Sequence, residues 1–249
     1  MRLRLICCDV FLRAACDIVS KSPHIVDVEF VPMLAHNKPK ELNAELQERI
    51  NRGAKIRKYD MIILGFGLCG NTTAGLTCEI PMIVPRVHDC CAMFLGSRER
   101  FAEEFGESLS MRWCSCGYYE RGHLDENYES GEFEEGYKLR PEYLQMIEQY
   151  GEDNAEYIWE TMHPKIETTE AVYINLEGFE QSGSLEGFKK QTEEAGVALK
   201  ITRGDIDYLT RLINGPWDEK DFLLVSPGNK IKPLYDMENV FTEERCVYE

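Results

Sequence analysis

The feature of this sequence that most constrains its fold is a series of short, continuous apolar runs separated by helical patterns. The clearest run is Met-Ile-Ile-Leu at residues 61–64, which leads directly into a glycine-rich segment. A continuous apolar run of this length predicts a strand that is buried on both faces, as in a parallel sheet covered by helices. The pattern therefore predicts an α/β fold with mainly parallel sheets flanked by helices.

The same alternation continues through both halves of the chain. Strands are predicted at 3–7, 26–31, 61–64 and 82–85, and in the second half at 171–176, 197–201 and 222–225. Helices are predicted at 10–20, 41–51, 91–105, 185–195 and 206–213, with a further short helix after the glycine-rich segment.

This order favours two Rossmann-like halves, residues 1–105 and 169–249, joined through an acidic helical insertion or linker at 106–168. An aspartate precedes an apolar run of similar length in both halves, at Asp60 and at Asp221. The second half lacks the cysteine-rich turns of the first, which argues against an internal repeat.

The charge balance excludes several classes of partner. The chain carries 28 Lys and Arg residues against 44 Asp and Glu residues, a formal net charge of −16. Such a surface repels phosphate backbones and anionic lipid, so neither nucleic acid nor a membrane is a predicted partner. Much of the acidity lies at 121–160, a stretch that is expected to be exposed and away from the thiols.

The apolar runs are too short for a membrane span of about 20 residues, and the start of the chain has no secretory cleavage site. The chain also has ten cysteines, which are expected to stay reduced in the absence of secretion. We therefore expect a cytoplasmic protein.

Several cysteines stand at the predicted carboxyl ends of strands. Cys7 ends the first strand, Cys69 lies in the glycine-rich segment after the third, and Cys90 follows the fourth. The carboxyl ends of parallel strands meet at one edge of the sheet, where α/β proteins bind ligands. Thiolates are preferred ligands of zinc and of iron–sulfur clusters. We therefore predict a metal site with Cys7, Cys69 and Cys90 as thiolate ligands and His88 as the fourth ligand.

The alternative is that these cysteines only fill the core as small apolar residues. The pattern does not distinguish zinc from an iron–sulfur cluster. It also leaves open the roles of Cys8, Cys91, Cys114 and Cys116.

The adjacent residues His88 and Asp89 are the candidates for acid–base catalysis. An Asp beside a His can set the tautomer of the imidazole, which can then bind metal or transfer a proton. Neighbouring residues of an extended segment point apart, however. A structural or solvent-exposed His88 is therefore the alternative.

The segment after the third strand also has the spacing G-x-G-x-x-G. In dinucleotide-binding folds this spacing opens a long helix whose N-terminus holds the pyrophosphate. Only a short helix fits before the next strand, which weakens that interpretation. The alternatives are a turn whose N–H groups approach an anion or cofactor and a tight turn with positive φ angles. The cofactor-binding candidates are Gly65, Gly67, Gly70 and Asn71.

Four short motifs occur together in the first part of the chain. They are Gly-Phe-Gly-Leu-Cys-Gly-Asn at 65–71, Pro-Arg-Val-His-Asp-Cys at 85–90, Leu-Gly-Ser-Arg-Glu-Arg-Phe at 95–101 and Ser-Pro-His at 22–24. With them the chain resembles a prokaryotic family known as domain of unknown function 1638, over most of residues 1–120 and more loosely beyond. The resemblance implies that Cys7, Cys69, His88, Asp89 and Cys90 belong to the family motif.

The resemblance also implies a setting, because family members occur in anaerobic bacteria and archaea, often beside components of corrinoid-dependent methyltransferases. The first function to consider is then a metal-centred protein of anaerobic one-carbon metabolism, with a corrinoid protein or a methyltransferase component as its partner. Zinc would activate a thiol acceptor, whereas an iron–sulfur cluster would suit reductive reactivation of a corrinoid.

Two other functions remain open from the sequence. One is an accessory module that binds a cofactor or partner, such as a corrinoid, without catalysis. The chain lacks the Asp-x-His-x-x-Gly signature of corrinoid-binding proteins. The other, and the least favoured, is a dinucleotide-dependent oxidoreductase. The sequence leaves open whether the protein is an enzyme, which substrate it takes and what its oligomeric state is.

Overall fold

The structure is a computed structural model that describes residues 1–33, 35, 38–106, 112–122, 141–152, 154–156, 158, 170–234, 236 and 239–246. Its strands are β1 (Arg2–Cys8), β2 (Ile25–Val31), β3 (Met61–Gly65), β4 (Met82–Pro85), β5 (Trp113–Ser115), β6 (Glu170–Asn175), β7 (Ala198–Arg203), β8 (Phe222–Val225), β9 (Asn229–Pro233) and β10 (Phe241–Arg245). The helices with described bounds are α1 (Leu12–Ser20), α2 (Pro39–Ile56), α3 (Cys90–Leu95), α4 (Arg98–Phe105), α5 (Cys116–Gly122), α6 (Pro141–Tyr150), α7 (Ser184–Glu194) and α8 (Asp207–Asn214).

The main sheet has the strand order β2-β1-β3-β4-β8. β1 pairs in parallel with both β2 and β3, and β3 pairs in parallel with β4. Every residue of β3 is buried, as expected for a strand that is covered on both faces. The α/β class with a mainly parallel sheet flanked by helices is therefore confirmed.

A second, parallel sheet has the order β5-β6-β7 within the described residues. β5 includes Trp113 and Cys114, which the sequence does not mark as a strand. β9 and β10 form an antiparallel hairpin.

The expectation that residues 222–225 belong to a second parallel sheet is wrong, because β8 joins the main sheet antiparallel to β4. Helix α8 explains the position of β8. The ring of Tyr208 on α8 lies 5.1 Å from that of Phe222, and its hydroxyl donates to the carbonyl of Asp221 at 2.6 Å. Residues of the range 169–249 therefore contribute to both sheets.

Two helices replace the single helix predicted at 91–105. α3 ends at Gly96, whose φ of 90° is left-handed. Ser97 then caps α4 by accepting the N–H of Arg100 at 3.1 Å. A Cβ atom on Gly96 would lie 2.7 Å from the Cβ of Asp205. The break therefore lets this part of the chain approach the segment before α8 closely.

The short helix predicted after Gly70 is not formed, because residues 70–75 make turns. The side chain of Asn43 on α2 holds these turns by donating to the carbonyls of Thr72 (2.7 Å) and Ala74 (2.9 Å). α2 thus supplies hydrogen-bond donors that a local helix would otherwise supply.

Both sheets share one hydrophobic core. Phe11 stacks on Phe94 with 4.6 Å between ring centroids, and Phe94 meets Trp113 of β5 at 5.9 Å. Val172 and Ile174 of β6 belong to the same buried cluster. A core of this extent does not need a metal to hold the fold together.

The acidic region predicted at 106–168 lies largely outside the described residues, and so does much of the stretch 121–160 that is expected to be exposed. In the described parts of the chain, no helix is both long enough and apolar enough to cross a membrane.

Candidate functional site

Cys7 and Cys8 lie side by side in β1 but face opposite sides of the main sheet, because successive residues of a strand alternate. The pKa of Cys7 is raised by burial first and then by the charges of Cys8, Cys16 and Asp9. The charge of Cys8 also contributes to the raised pKa values of Cys69 and Cys90. Cys8 thus interacts electrostatically with Cys7, Cys69 and Cys90, and the role of Cys7 as a ligand stays a prediction.

Cys69 is positioned by the loop after β3, which runs beside the segment after β4. The N–H of Leu68 donates to the carbonyl of Val87 at 3.0 Å, and the N–H of Cys69 donates to the carbonyl of His88 at 2.8 Å. Gly67 permits this approach, because a Cβ atom there would lie 2.6 Å from the carbonyl oxygen of Val87. These hydrogen bonds extend the β3–β4 pairing and set Cys69 beside the residues that precede α3.

Asp89 and Cys90 begin α3 at the same edge of the sheet. Asp89 is the N-cap of the helix, and its Oδ1 atom accepts the N–H of Cys91 at 2.8 Å. The thiol of Cys90 interacts electrostatically with Asp89, Cys69 and Cys8. The thiols of Cys8 on β1 and Cys69 in the loop after β3, and the carboxylate of Asp89, thus lie within electrostatic range of Cys90.

Burial keeps these thiols protonated. It raises the pKa of Cys8 to about 12. Burial, followed by the charges of Asp89 and Cys8, raises the pKa of Cys69 to about 12. The pKa of Cys90 is also raised, by burial first and then by Asp89. At pH 7 a thiol with a pKa of 12 is ionised in only about 1 molecule in 10⁵. The site therefore presents neutral thiols unless a bound cation lowers their pKa.

His88 and Asp89 have separate partners. The Nε2 atom of His88 lies 3.2 Å from the carbonyl oxygen of Asp236. Burial raises the pKa of Asp89, although hydrogen bonds from the N–H groups of Cys91 and Ala92 lower it in part. The charge of His88 also lowers the pKa of Asp89 in part, so the two groups interact electrostatically and their acid–base role stays a prediction.

The glycine-rich segment has two different roles. A Cβ atom on Gly65 would lie 2.3 Å from the Cβ of Cys7, so this glycine lets β1 and β3 pack closely. Three consecutive residues further on are left-handed, with φ angles of 43° at Cys69, 64° at Gly70 and 72° at Asn71. Because turns and not a helix follow, the segment lacks the helix N-terminus on which a dinucleotide pyrophosphate rests.

No group of three or more His, Cys, Asp and Glu side chains forms a ready-made metal site in the described residues. The predicted set of Cys7, Cys69, Cys90 and His88 is not such a group, and the Nε2 atom of His88 lies 3.2 Å from the carbonyl oxygen of Asp236. The same holds for Cys8, Cys69 and Cys90, although these three thiols interact electrostatically.

The other cysteines lie apart from this cluster or inside the core. Cys91 is fully buried. Cys114 and Cys116 stand at the end of β5, where burial raises the pKa of Cys116 to about 11. All ten cysteines are described, and none forms a disulfide.

The left-handed φ of Cys69 predicts a strained residue, because an L side chain at this φ crowds the backbone. We expect Cys69→Gly to be more stable than Cys69→Ala by about 1 kcal/mol, since both remove the thiol and only glycine relieves the strain. Urea unfolding of the two variants measures the difference. Equal stabilities would show that the backbone at Cys69 carries no strain.

The fold and the carboxyl edge of the main sheet define an α/β protein whose cysteine thiols lie at the ends of parallel strands. A family model described as "Protein of unknown function (DUF1638)" matches residues 30–213, and the chain belongs to this family. The matched range includes Cys69, Asp89 and Cys90, whereas Cys8 precedes it. No curated protein and no solved structure matches the chain.

Proposed function

We propose that the chain binds a thiophilic metal, either zinc or the iron of an iron–sulfur cluster, through Cys8, Cys69 and Cys90. The observation that supports this most directly is the electrostatic interaction of the Cys90 thiol with those of Cys69 and Cys8, which come from separate segments. Cys69 and Cys90 are only partly buried as residues, whereas a cysteine that merely fills a core is usually buried completely.

Electrostatics also support a cation at this position. Burial is the main cause of the raised pKa values of Cys8, Cys69 and Cys90, and the charge of Asp89 raises those of Cys69 and Cys90 further. A divalent cation reverses this balance, because coordination favours the thiolate and offsets the negative charge. The three side chains are therefore unsuited to act as free nucleophiles and suited to bind a soft metal.

We place this metal site in anaerobic one-carbon metabolism, in a reducing cytoplasm, with a corrinoid protein or a methyltransferase component as the partner. This context comes from the family resemblance. When bound, zinc would supply a thiolate that stays nucleophilic at neutral pH, and a cluster would supply electrons.

The test compares two neighbours in β1. Protein purified without oxygen is expected to carry about one metal site per chain, and Cys8→Ser is expected to lower the metal content at least about tenfold. Cys7→Ser is the matched control, because Cys7 is also buried in β1 but faces α1. Elemental analysis measures zinc and iron, and colour separates the two, since zinc is colourless.

A metal-free wild-type protein would overturn this proposal, and so would an equal loss of metal in both variants. If a corrinoid instead remained bound after purification of the metal-free protein, the accessory-module function would be the better account of this edge.

A further inference from the structure

We infer that the chain forms a two-fold symmetric dimer in which β7 pairs antiparallel with β7 of a second copy. The pairing joins the two β5-β6-β7 sheets into one continuous sheet. The inference goes beyond the proposed metal site and does not depend on it.

One side of β7 is an open sheet edge. In the part of the chain that the structure describes, β7 pairs with β6 alone, from Ala198 to Arg203. Its other side therefore presents backbone N–H and C=O groups that a further strand can bind. Proteins usually protect such an edge with free charges, with proline or with a covering segment.

The middle of β7 lacks this protection. The side chain of Ile201 is 54% exposed. The ammonium group of the preceding residue, Lys200, is held by the carboxylate of Glu104 on α4 at 2.5 Å. The hydroxyl of Thr202 donates to the same carboxylate at 3.2 Å. The body of the protein therefore neutralises the charge nearest to the centre of β7, and an apolar side chain is left at the surface.

A groove beside Ile201 offers room for apolar side chains of a partner strand. It has a volume of about 330 Å³ and lies between α7 and β7, with Leu185, Leu199 and Ile201 among its lining residues. In an antiparallel pair centred on Ile201, this residue lies opposite its own copy, and opposite residues project from the same face of the sheet. One two-fold contact therefore covers both open edges and both exposed isoleucines.

The charges of the groove favour a second copy as the occupant. A two-fold contact brings the same patch of both copies together, so the patch has to carry both signs of charge. The exposed residues Glu186, Lys189 and Glu193 of α7 line the groove, and none of the three has an ion pair within the described ranges. Each copy thus offers carboxylates to the lysine of the other, whereas the average surface of a chain with a net charge of −16 repels its own copy.

The test is sedimentation equilibrium of the full-length chain over a range of concentrations. The wild-type chain is expected to dimerise, and Ile201→Lys is expected to raise the dissociation constant at least about 100-fold, because two like charges would then stand opposite each other in place of an apolar pair. Leu224→Lys is the matched control, because Leu224 is an equally exposed apolar residue of a strand, at 52%, but lies on β8. Circular dichroism checks that both variants fold.

A cross-link tests the arrangement of the two strands. Opposite residues of an antiparallel pair have Cα atoms about 4.5–5.5 Å apart, which a disulfide can span. With a thiol oxidant, Ile201→Cys is therefore expected to give at least about tenfold more covalent dimer than the wild-type chain. Leu224→Cys should give no more than the wild-type chain. This measurement also decides the matter if Ile201→Lys does not fold.

A wild-type chain that stays monomeric at every concentration would overturn the inference and leave the edge of β7 to a strand of another protein. A dimer that survives Ile201→Lys, or that Leu224→Lys weakens equally, would also overturn it, because the contact would then lie elsewhere. A dimer that Ile201→Cys does not cross-link would contradict the antiparallel pairing centred on Ile201.

Discussion

Zinc binding is expected to strengthen by up to about a thousandfold for each unit that the pH rises between 6 and 8. The pKa values of Cys8 and Cys69 are about 12, and that of Cys90 is also raised, so all three thiols are protonated throughout this range. If zinc binds these thiols as proposed, it displaces one proton from each. Each displaced proton makes the affinity rise tenfold per pH unit, and the sign is positive because the bound form has lost protons.

Competition with a chelator at several pH values measures this slope, and proton release in buffers of different ionisation enthalpy counts the protons. Cys8→Ser should reduce the slope to about a hundredfold per pH unit, because one proton is no longer displaced. Cys7→Ser should leave it unchanged. An affinity that does not vary with pH would contradict coordination by these thiols.

Gly117→Ala is expected to destabilise the fold by about 3 kcal/mol. A Cβ atom at this position would lie 1.8 Å from the carbonyl oxygen of Val10 and 2.8 Å from its carbonyl carbon. Both are backbone atoms of the 3-10 turn Asp9–Phe11 that directly follows Cys8. Helix α5 would have to move away from this turn, so a lowered metal affinity is expected as well.

Thermal unfolding measures the effect, which corresponds to a decrease in Tm of about 6–12 °C for a chain of this size. Gly75→Ala is the control, because Gly75 has a φ of 77° but no atom near its Cβ position. Gly75→Ala should lower the free energy of unfolding by about 1 kcal/mol, through backbone strain alone. If Gly117→Ala costs no more than Gly75→Ala, the close approach of α5 to Val10 is not a constraint on the fold.

Several elements follow from local pattern alone. Residues 82–85 and 222–225 are predicted as strands with the bounds that the structure has, because a buried apolar run between turn residues has few other conformations. The pattern does not predict that β8 lies antiparallel to β4. That choice depends on the packing of α8 against the main sheet.

The candidate site is likewise predicted only in part by the sequence. The sequence predicts that Cys69 and Cys90 meet, because both follow neighbouring parallel strands and such strand ends share one edge. It does not predict that Cys8 joins them, because β1 is buried on both faces from Leu3 to Cys8 and its apolar pattern has no polar side. The sequence gives no sign of the partner that holds His88 either, since Asp236 is 148 residues away.

The sequence by itself thus determines that this chain forms an α/β protein with thiols at strand ends, because burial and periodicity are local properties. The tertiary structure decides which thiols face each other. α1 covers the face of Cys7, and α2 covers the opposite face, where a Cβ atom on Gly53 would meet the side chain of Arg4 at 2.7 Å. Because successive residues of a strand alternate, Cys8 lies on the same face of the sheet as Arg4, toward Cys69 and Cys90. Which helix covers that face is decided only when the helices pack on the sheet.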